Sequence, residues 1–124
     1  MEATNTSPAT AGGVPGRAAT GGAPVSLQKV SRSFGAVRAL NGLSLEIAPG
    51  ELVALLGPSG CGKTTALRIL AGFETADSGT VTVDGRDIAP VPPAKRDMGM
   101  VFQSYSLFPN MSALENVGFG LRMR

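Results

Sequence analysis

A glycine-rich stretch near the middle of the chain, GPSGCGKTT, combines residue types that can hold phosphate groups. Gly57, Gly62, Lys63 and Thr64 match the pattern G-x-x-x-x-G-K-[ST]. Glycines let the backbone curl so that N–H groups point inward, and the positive end of a following helix also attracts an anion. The lysine reaches the β- and γ-phosphates, and the threonine hydroxyl is a hard ligand for Mg²⁺. The predicted phosphate cradle comprises Gly57, Pro58, Ser59, Gly60, Cys61, Gly62, Lys63, Thr64 and Thr65.

The composition of the chain argues against several classes of protein. At 124 residues it is at most one domain, and its 11 basic and 9 acidic residues give a net charge of only +2. No polybasic patch for nucleic acid is visible, and no apolar run approaches the ~18 residues that span a bilayer. The single cysteine fits a reducing compartment, and the first residues do not resemble a secretory signal. We expect a cytoplasmic protein that does not bind nucleic acid.

The elements that must position the cradle can be predicted from the spacing of apolar residues. Residues 25–31 and 43–47 alternate between apolar and polar, which indicates strands. Residues 51–56, ELVALL, are almost continuously apolar, which is typical of a parallel strand buried on both faces. The segment KTTALRILA after the cradle predicts a buried helix with Gly72 at its C-cap. The predicted order is therefore strand, glycine-rich loop and helix.

The second half of the chain continues with short elements. Residues 80–85 predict a strand that ends in a turn, residues 91–96 a turn or short helix, and residues 98–102, MGMVF, a second buried strand. The segment SYSLFPNM is typical of a loop, and Ser112 with Glu115 forms a capping box that begins the last helix. We expect four charged residues between these elements to form a solvated rim: Asp87, Lys95, Arg96 and Asp97.

Residues 1–24 differ in composition from the rest of the chain. Alanine, glycine, threonine, proline and serine dominate this segment, and it contains almost no large apolar side chain. Such a segment cannot bury enough surface to offset the entropy of ordering it. We expect a disordered tail over residues 1–24 and a folded domain over residues 25–124.

Two stretches of that domain resemble the ATP-binding subunit of an ABC transporter, FGAVRALNGLSLEIAPGELVALLGPSGCGKTTALRILAGFETADSGTVTVDGRDI and MGMVFQSYSLFPNMSALENVGFGL. The resemblance covers about residues 25–124. The chain is most similar to ATPases of importers for polyamines, ferric iron, sulfate and maltose-type sugars. Within that group the resemblance is strongest to the polyamine branch. It implies an α/β fold, namely the N-terminal part of a P-loop ABC-type nucleotide-binding domain. That part consists of an antiparallel β subdomain and the strand–helix core around the cradle.

The resemblance implies ATP and Mg²⁺ as cofactors and assigns roles to individual residues. Phe34 falls where the family places an aromatic residue, usually tyrosine, that stacks on adenine. Gln103 falls at the glutamine that contacts Mg²⁺ or the attacking water. Lys63 and Gln103 are thus the expected catalytic residues, and Thr64 and Gln103 the expected metal contacts. Without the resemblance, Phe34 is better explained as a hairpin or core aromatic, and Gln103 as a solvated loop residue.

The resemblance also implies partners. In the family, the loop after Gln103 lines a groove that receives a helix of the transmembrane permease subunits. Further expected partners are a second copy of the ATP-binding subunit and, indirectly, a periplasmic or lipid-anchored solute-binding protein. This places the chain peripherally on the inner face of the cell membrane. Asn110 stands where relatives often carry histidine, so no role is assigned to it. The expected groove residues are Tyr105, Leu107, Phe108 and Pro109.

The family pattern includes parts that the 124 residues do not contain. There is no LSGGQ-type signature, no apolar strand ending in Asp-Glu and no histidine. The resemblance therefore implies an N-terminal fragment of an ATPase that does not hydrolyse ATP alone. In the family sheet, other strands lie beside residues 51–56 and 98–102. We therefore expect these two runs to lack neighbours and to expose apolar surface.

Two alternatives to a transport ATPase stay open at this point. One is another P-loop enzyme, although a GTPase would need an N-K-x-D motif and a kinase an arginine-rich lid, and neither is present. The other is a nucleotide-binding or interaction fragment without catalytic activity.

The cysteine of the predicted cradle provides a first test. A helix N-terminus and the neighbouring Lys63 both favour the thiolate of Cys61, and alkylation would place bulk where phosphates approach the backbone. We expect maleimide treatment to block nucleotide binding and bound ATP to slow the labelling, as measured by mass spectrometry. Equal labelling rates with and without ATP would mean that Cys61 occupies a tolerant position outside the cradle.

Overall fold

The computed structural model of the chain describes residues 22–58, 62–104 and 107–124. Its regular elements are β1 (Val25–Phe34), β2 (Val37–Ile47), α1 (Lys63–Ala71), β3 (Ser78–Val83), β4 (Arg86–Asp87), a 3₁₀ turn (Pro93–Lys95) and α2 (Ala113–Met123). Of the predicted tail over residues 1–24, only the last three residues lie within the described ranges, and they have no regular structure. The division of the chain at Val25 therefore stays a prediction.

The strands form one antiparallel sheet with the order β2-β1-β3-β4. The centre of this sheet is β1, where Val25 lies opposite Ile47 of β2 on one side and Val83 of β3 on the other. The β1–β2 connection is a tight turn in which Phe34 and Val37 are paired. The alternating segments predicted as strands at residues 25–31 and 43–47 are confirmed as parts of β1 and β2, and the segment at residues 80–85 as the end of β3 and the turn that follows it.

The hydrophobic core lies between the sheet and α1. Ala66 and Ile69 are the buried residues of this helix, and they join buried side chains from β1, β2 and β3. Each such side chain contributes roughly 1.5–3 kcal/mol when it is fully removed from water. The predicted helix after the cradle is thus confirmed, but only one face of it is buried, and Leu67 is 49% exposed. The residues of the sheet that complete this core are Leu27, Val30, Leu40, Leu43, Leu45 and Val81.

The C-terminal end of α1 is closed by a glycine and an arginine. Gly72 is the C-cap, as predicted, with the left-handed φ of 91° that glycine adopts most readily. The guanidinium of Arg96 donates hydrogen bonds to the carbonyls of Ile69 and Leu70, both at 3.0 Å, and to that of Val91 at 2.8 Å. The carbonyls of a last helical turn have no intrahelical donor, and the negative helix end attracts a cation.

The prediction that Arg96 belongs to a solvated rim is therefore wrong. Its side chain is half-buried against the end of α1. Burial lowers the pKa of the Arg96 guanidinium from its ordinary value, and the negative charge of Asp87 raises it in part. Arginine remains protonated under such shifts, so the cation persists at the helix end. The other predicted rim residues, Asp87, Lys95 and Asp97, are exposed.

The two apolar runs predicted as buried parallel strands are not strands in the structure. Residues 51–56 and 98–102 have no regular secondary structure, and neither run pairs with another strand among the described residues. Leu52 is 76% exposed and Val101 is 86% exposed. A strand requires hydrogen-bonding neighbours, and burial on both faces requires layers above and below. The expected exposure of apolar surface along these runs is confirmed, whereas their strand assignment is wrong.

The last helix, α2, begins at the predicted capping box. The Ser112 hydroxyl accepts a hydrogen bond from the Glu115 backbone N–H at 3.2 Å, and the Glu115 carboxylate accepts one from the Ser112 N–H at 2.7 Å. None of the residues of α2 is fully buried. Within the described parts of the chain, no helix is long and apolar enough to cross a membrane.

Substitutions at two glycines test whether Gly72 stabilises the C-terminal end of α1. Gly72→Ala forces a side chain into a left-handed conformation, and its Cβ would lie 2.8 Å from Arg96 Nε. We expect the variant to lose about 1–2 kcal/mol of unfolding free energy in urea denaturation followed by circular dichroism. Gly118→Ala is the control: a Cβ there meets nothing within 4 Å inside α2, and we expect it to be neutral or stabilising. Equal effects of the two substitutions would contradict this account.

Candidate functional site

The described ends of the glycine-rich loop meet at the start of α1. Gly62 precedes the helix with φ of 90°, a left-handed conformation, and Lys63 is the first helical residue. The Lys63 ammonium donates a hydrogen bond to the carbonyl of Gly57, which connects the two ends of the loop. Ser59, Gly60 and Cys61 lie outside the described residues, so their predicted roles stay predictions.

The N-terminus of α1 suits an anionic ligand. No side chain of the described residues caps this helix, and its first turn contains no acidic residue. The backbone N–H groups of a first turn have no intrahelical acceptor, and the helix dipole is positive at this end. The ammonium of Lys63 stands at the same end and has two further N–H donors. The donors present therefore fit a phosphate group, which is the ligand that the sequence predicts.

The remaining cradle residues differ in exposure. Pro58 is exposed before the helix, Thr64 is exposed in the first turn, and Thr65 is half-buried. The hydroxyl of Thr64 has no hydrogen bond to the described residues and suits a hard cation such as Mg²⁺. Among the described residues there is no group of three carboxylate, thiol or imidazole ligands. A cation here would therefore depend on Thr64 together with ligand oxygens and water.

Gln103 is not brought to Thr64 by any contact in the structure. Gln103 is exposed in a turn, and no hydrogen bond joins it to the described residues. The neighbouring Phe102 ring lies 6.2 Å from the Phe73 ring, just beyond the C-terminal end of α1. The nine residues of α1 separate its two ends by about 13 Å, and Thr64 is at the other end. The predicted role of Gln103 stays a prediction.

Phe34 lies at the tip of the β1–β2 hairpin and is 45% exposed. The guanidinium carbon of Arg32 lies 4.8 Å from the centre of the Phe34 ring, which is a cation–π contact. Arg32 and Phe34 share one face of β1 because alternate residues of a strand point to the same side. The structure thus places a cation on the ring for which adenine stacking is predicted.

Arg32 was not predicted from the sequence to be part of the site. Its guanidinium pairs with Glu74 at 2.7 Å and with Asp77 at 2.9 Å, both in the connection between α1 and β3. Asp77 also accepts a hydrogen bond from the Ser33 backbone N–H at 2.7 Å. The spacing Arg-x-Phe in a strand was the available signal, but the acidic partners are more than 40 residues away in sequence.

The expected groove residues lie in a loop fastened to α2. The side-chain amide of Asn116 accepts a hydrogen bond from the Phe108 N–H at 2.8 Å and donates to the Ser112 carbonyl at 2.9 Å. The rings of Phe108 and Phe119 are 4.6 Å apart. Leu107 is 72% exposed, and Pro109 is also exposed. Tyr105, the remaining predicted groove residue, lies outside the described residues.

A comparison with protein-family models shows the family to which the chain belongs. The model described as "ABC transporter" matches residues 40–124, which is more than half of the chain. The chain therefore belongs to the ABC transporter family, and the resemblance inferred from its motifs is confirmed.

Relatives in this family carry names that refer to import. The chain is 57% identical to the spermidine/putrescine import ATP-binding protein PotA of Methylococcus capsulatus. The alignment of 99 residues covers 80% of the chain and 26% of that protein. The chain is also 56% identical to the Fe(3+) ions import ATP-binding protein FbpC of Agrobacterium fabrum. That alignment of 98 residues covers 79% of the chain and 28% of the FbpC protein. The chain thus spans about a quarter of the length of these relatives.

Solved structures support the fold assignment. A bacterial ABC transporter cassette described as dimeric aligns with a TM-score of 0.71 and 30% identity, over 79% of this chain and 47% of that chain. A bacterial Atm1-family ABC exporter with ATP bound aligns with a TM-score of 0.71 and 34% identity, over 86% of this chain and 20% of that chain. The predicted α/β nucleotide-binding fold is confirmed by these neighbours.

Asp77 makes the hairpin tip sensitive to acid. The hydrogen bond from the Ser33 N–H, together with Arg32, holds the pKa of the Asp77 carboxyl below its ordinary value. The folded state therefore favours the carboxylate, so this stabilisation is present above about pH 4 and is lost as the pH falls further. We expect Asp77→Asn to lower the urea midpoint at pH 7 and to lose less stability between pH 5 and pH 2.

The control for this experiment is Asp84→Asn in the exposed turn after β3. We expect it to retain the pH dependence of the unsubstituted chain. Identical pH profiles for Asp77→Asn and the unsubstituted chain would show that the Asp77 contacts do not stabilise the hairpin.

Proposed function

We propose that the chain binds ATP with Mg²⁺ as the nucleotide-binding part of an ABC import ATPase. The observation that carries this proposal is the geometry at the start of α1. There Gly62 adopts a left-handed conformation, Lys63 follows it, and the first turn contains no acidic side chain. These features supply donors and positive potential where phosphates would lie. The names of the relatives support the importer class, and the domain proposed to carry this activity is residues 25–124.

The proposed roles of the residues follow from their chemistry. The loop from Gly57 to Thr65 would hold the phosphates with backbone N–H groups, and Lys63 would neutralise their charge. Thr64 would offer its hydroxyl to Mg²⁺, which when bound neutralises charge on the phosphates. Phe34 would stack on adenine. Gln103 would join the metal site and orient water once the segment around Phe102 moves toward the start of α1.

We also propose where the protein acts and with which partners. The proposed site of action is the inner face of the cell membrane, with a second copy of the subunit and with permease subunits that receive solute from a binding protein. The exposed Leu107 and Phe108, held on α2, offer an apolar contact surface for the permease. A polyamine is the proposed solute, supported by the PotA relative, and ferric iron is the alternative supported by the FbpC relative.

The cradle is tested by removing its lysine. We expect the chain to bind ATP by isothermal titration calorimetry in the presence of Mg²⁺, and chelation of Mg²⁺ to weaken the binding. Lys63→Ala removes the cation that faces the phosphates, and we expect it to abolish measurable binding. Lys95→Ala is the matched control because Lys95 is an exposed lysine of the 3₁₀ turn. Retention of full affinity by Lys63→Ala, or an equal loss in Lys95→Ala, would contradict the proposal.

A further inference from the structure

We propose that Arg32 is a positioning residue of the base site, which holds the Phe34 ring so that one of its faces is available to a purine base. This inference rests on the proposed function, because it concerns the ring that would stack on adenine. It goes further by assigning a role to a side chain that contacts neither the phosphates nor the reacting atoms.

The first observation is that Arg32 is itself held from both ends of its guanidinium. One terminal nitrogen lies 2.7 Å from a Glu74 carboxylate oxygen, and the other lies 2.9 Å from an Asp77 carboxylate oxygen. The side chains of Arg32 and Glu74 are 24% and 22% exposed, so this ion pair is partly shielded from water, whereas the side chain of Asp77 is 45% exposed. A planar guanidinium fixed at both terminal nitrogens has a defined plane. The orientation of Arg32 is thus determined by the connection that follows α1.

The second observation is that this fixed cation covers the Phe34 ring. The guanidinium carbon lies 4.8 Å from the ring centre, while the residue remains 45% exposed. An aromatic ring has two faces, and a cation at this distance occupies one of them. A base that stacks on the ring would therefore use the opposite face.

The third observation is that Asp77 fixes the backbone beside the ring as well. Its second carboxylate oxygen accepts the Ser33 N–H at 2.7 Å, one residue before Phe34. Asp77 therefore holds both the strand that carries the ring and the guanidinium that covers it. A ring immobilised before binding loses less conformational freedom when a base stacks on it, so the affinity for the base is higher.

These observations predict a selective effect on the base. Tripolyphosphate carries the charged groups of ATP but lacks adenine, so it reports on the cradle alone. We expect Arg32→Gln to weaken ATP binding about threefold to tenfold, and to leave tripolyphosphate binding within about twofold of the unsubstituted chain. If Arg32 only stabilised the fold, its substitution would weaken the binding of ATP and of tripolyphosphate to the same extent.

The experiment is isothermal titration calorimetry of the full chain with each ligand in the presence of Mg²⁺. Arg38→Gln is the matched control, because Arg38 lies on the same hairpin and its side chain bonds only to the nearby Asn41 among the described residues. Phe34→Ala is expected to weaken ATP binding about fivefold to tenfold. Combined with Arg32→Gln, it is expected to weaken binding no further, since Arg32 acts through the ring.

The outcomes separate this inference from the proposed function. If the unsubstituted chain binds neither ligand, the proposed function fails and the role of Arg32 fails with it. If it binds both and Arg32→Gln lowers neither affinity, or lowers both equally, only the inference is overturned. Should Arg32→Gln fail to fold by circular dichroism, Arg32→Lys replaces it. This variant keeps a cation beside Glu74 and Asp77 but lacks the planar face, and the same selective loss is expected.

Discussion

The packing of α1 against the antiparallel sheet is the interaction on which the candidate site depends. A helix of nine residues is too short to be stable by itself in water, so its formation relies on burial of Ala66 and Ile69 in the shared core. Arg96 and Gly72 then terminate it at a defined residue. Because the helix is rigid, fixing its C-terminal half also fixes Lys63 and the N–H groups of its first turn.

The same helix also organises the aromatic end of the site. The chain that leaves α1 carries Glu74 and Asp77, which return to β1 and hold Arg32 against Phe34. The N–H groups at the start of α1, which would bind phosphate, are thus linked to the Phe34 ring on the hairpin through α1 and the connection that follows it. A disturbance of the core beneath α1 would therefore reach both ends of the site.

Features encoded by local sequence were predictable here, and features that need distant partners were not. The helix after the cradle, the Gly72 cap and the capping box at Ser112 depend on residues within a turn or two, and all three are confirmed. The half-buried position of Arg96 was missed because two of its acceptors, the carbonyls of Ile69 and Leu70, lie 27 and 26 residues away. The run at residues 51–56 has the composition of a central strand, but pairing also requires neighbouring strands that its own sequence cannot specify.

The contacts that hold α2 and the loop before it are local in sequence, which bears on the order in which contacts form. Asn116, the Ser112–Glu115 capping box and the contact between Phe108 and Phe119 all join residues fewer than a dozen positions apart. Contacts of such low sequence separation close small loops with little entropy loss and form on the microsecond scale. The sheet instead joins β1 to β3 across about 50 residues. The contacts that join the loop to α2 can therefore form faster than the pairing of β1 with β3.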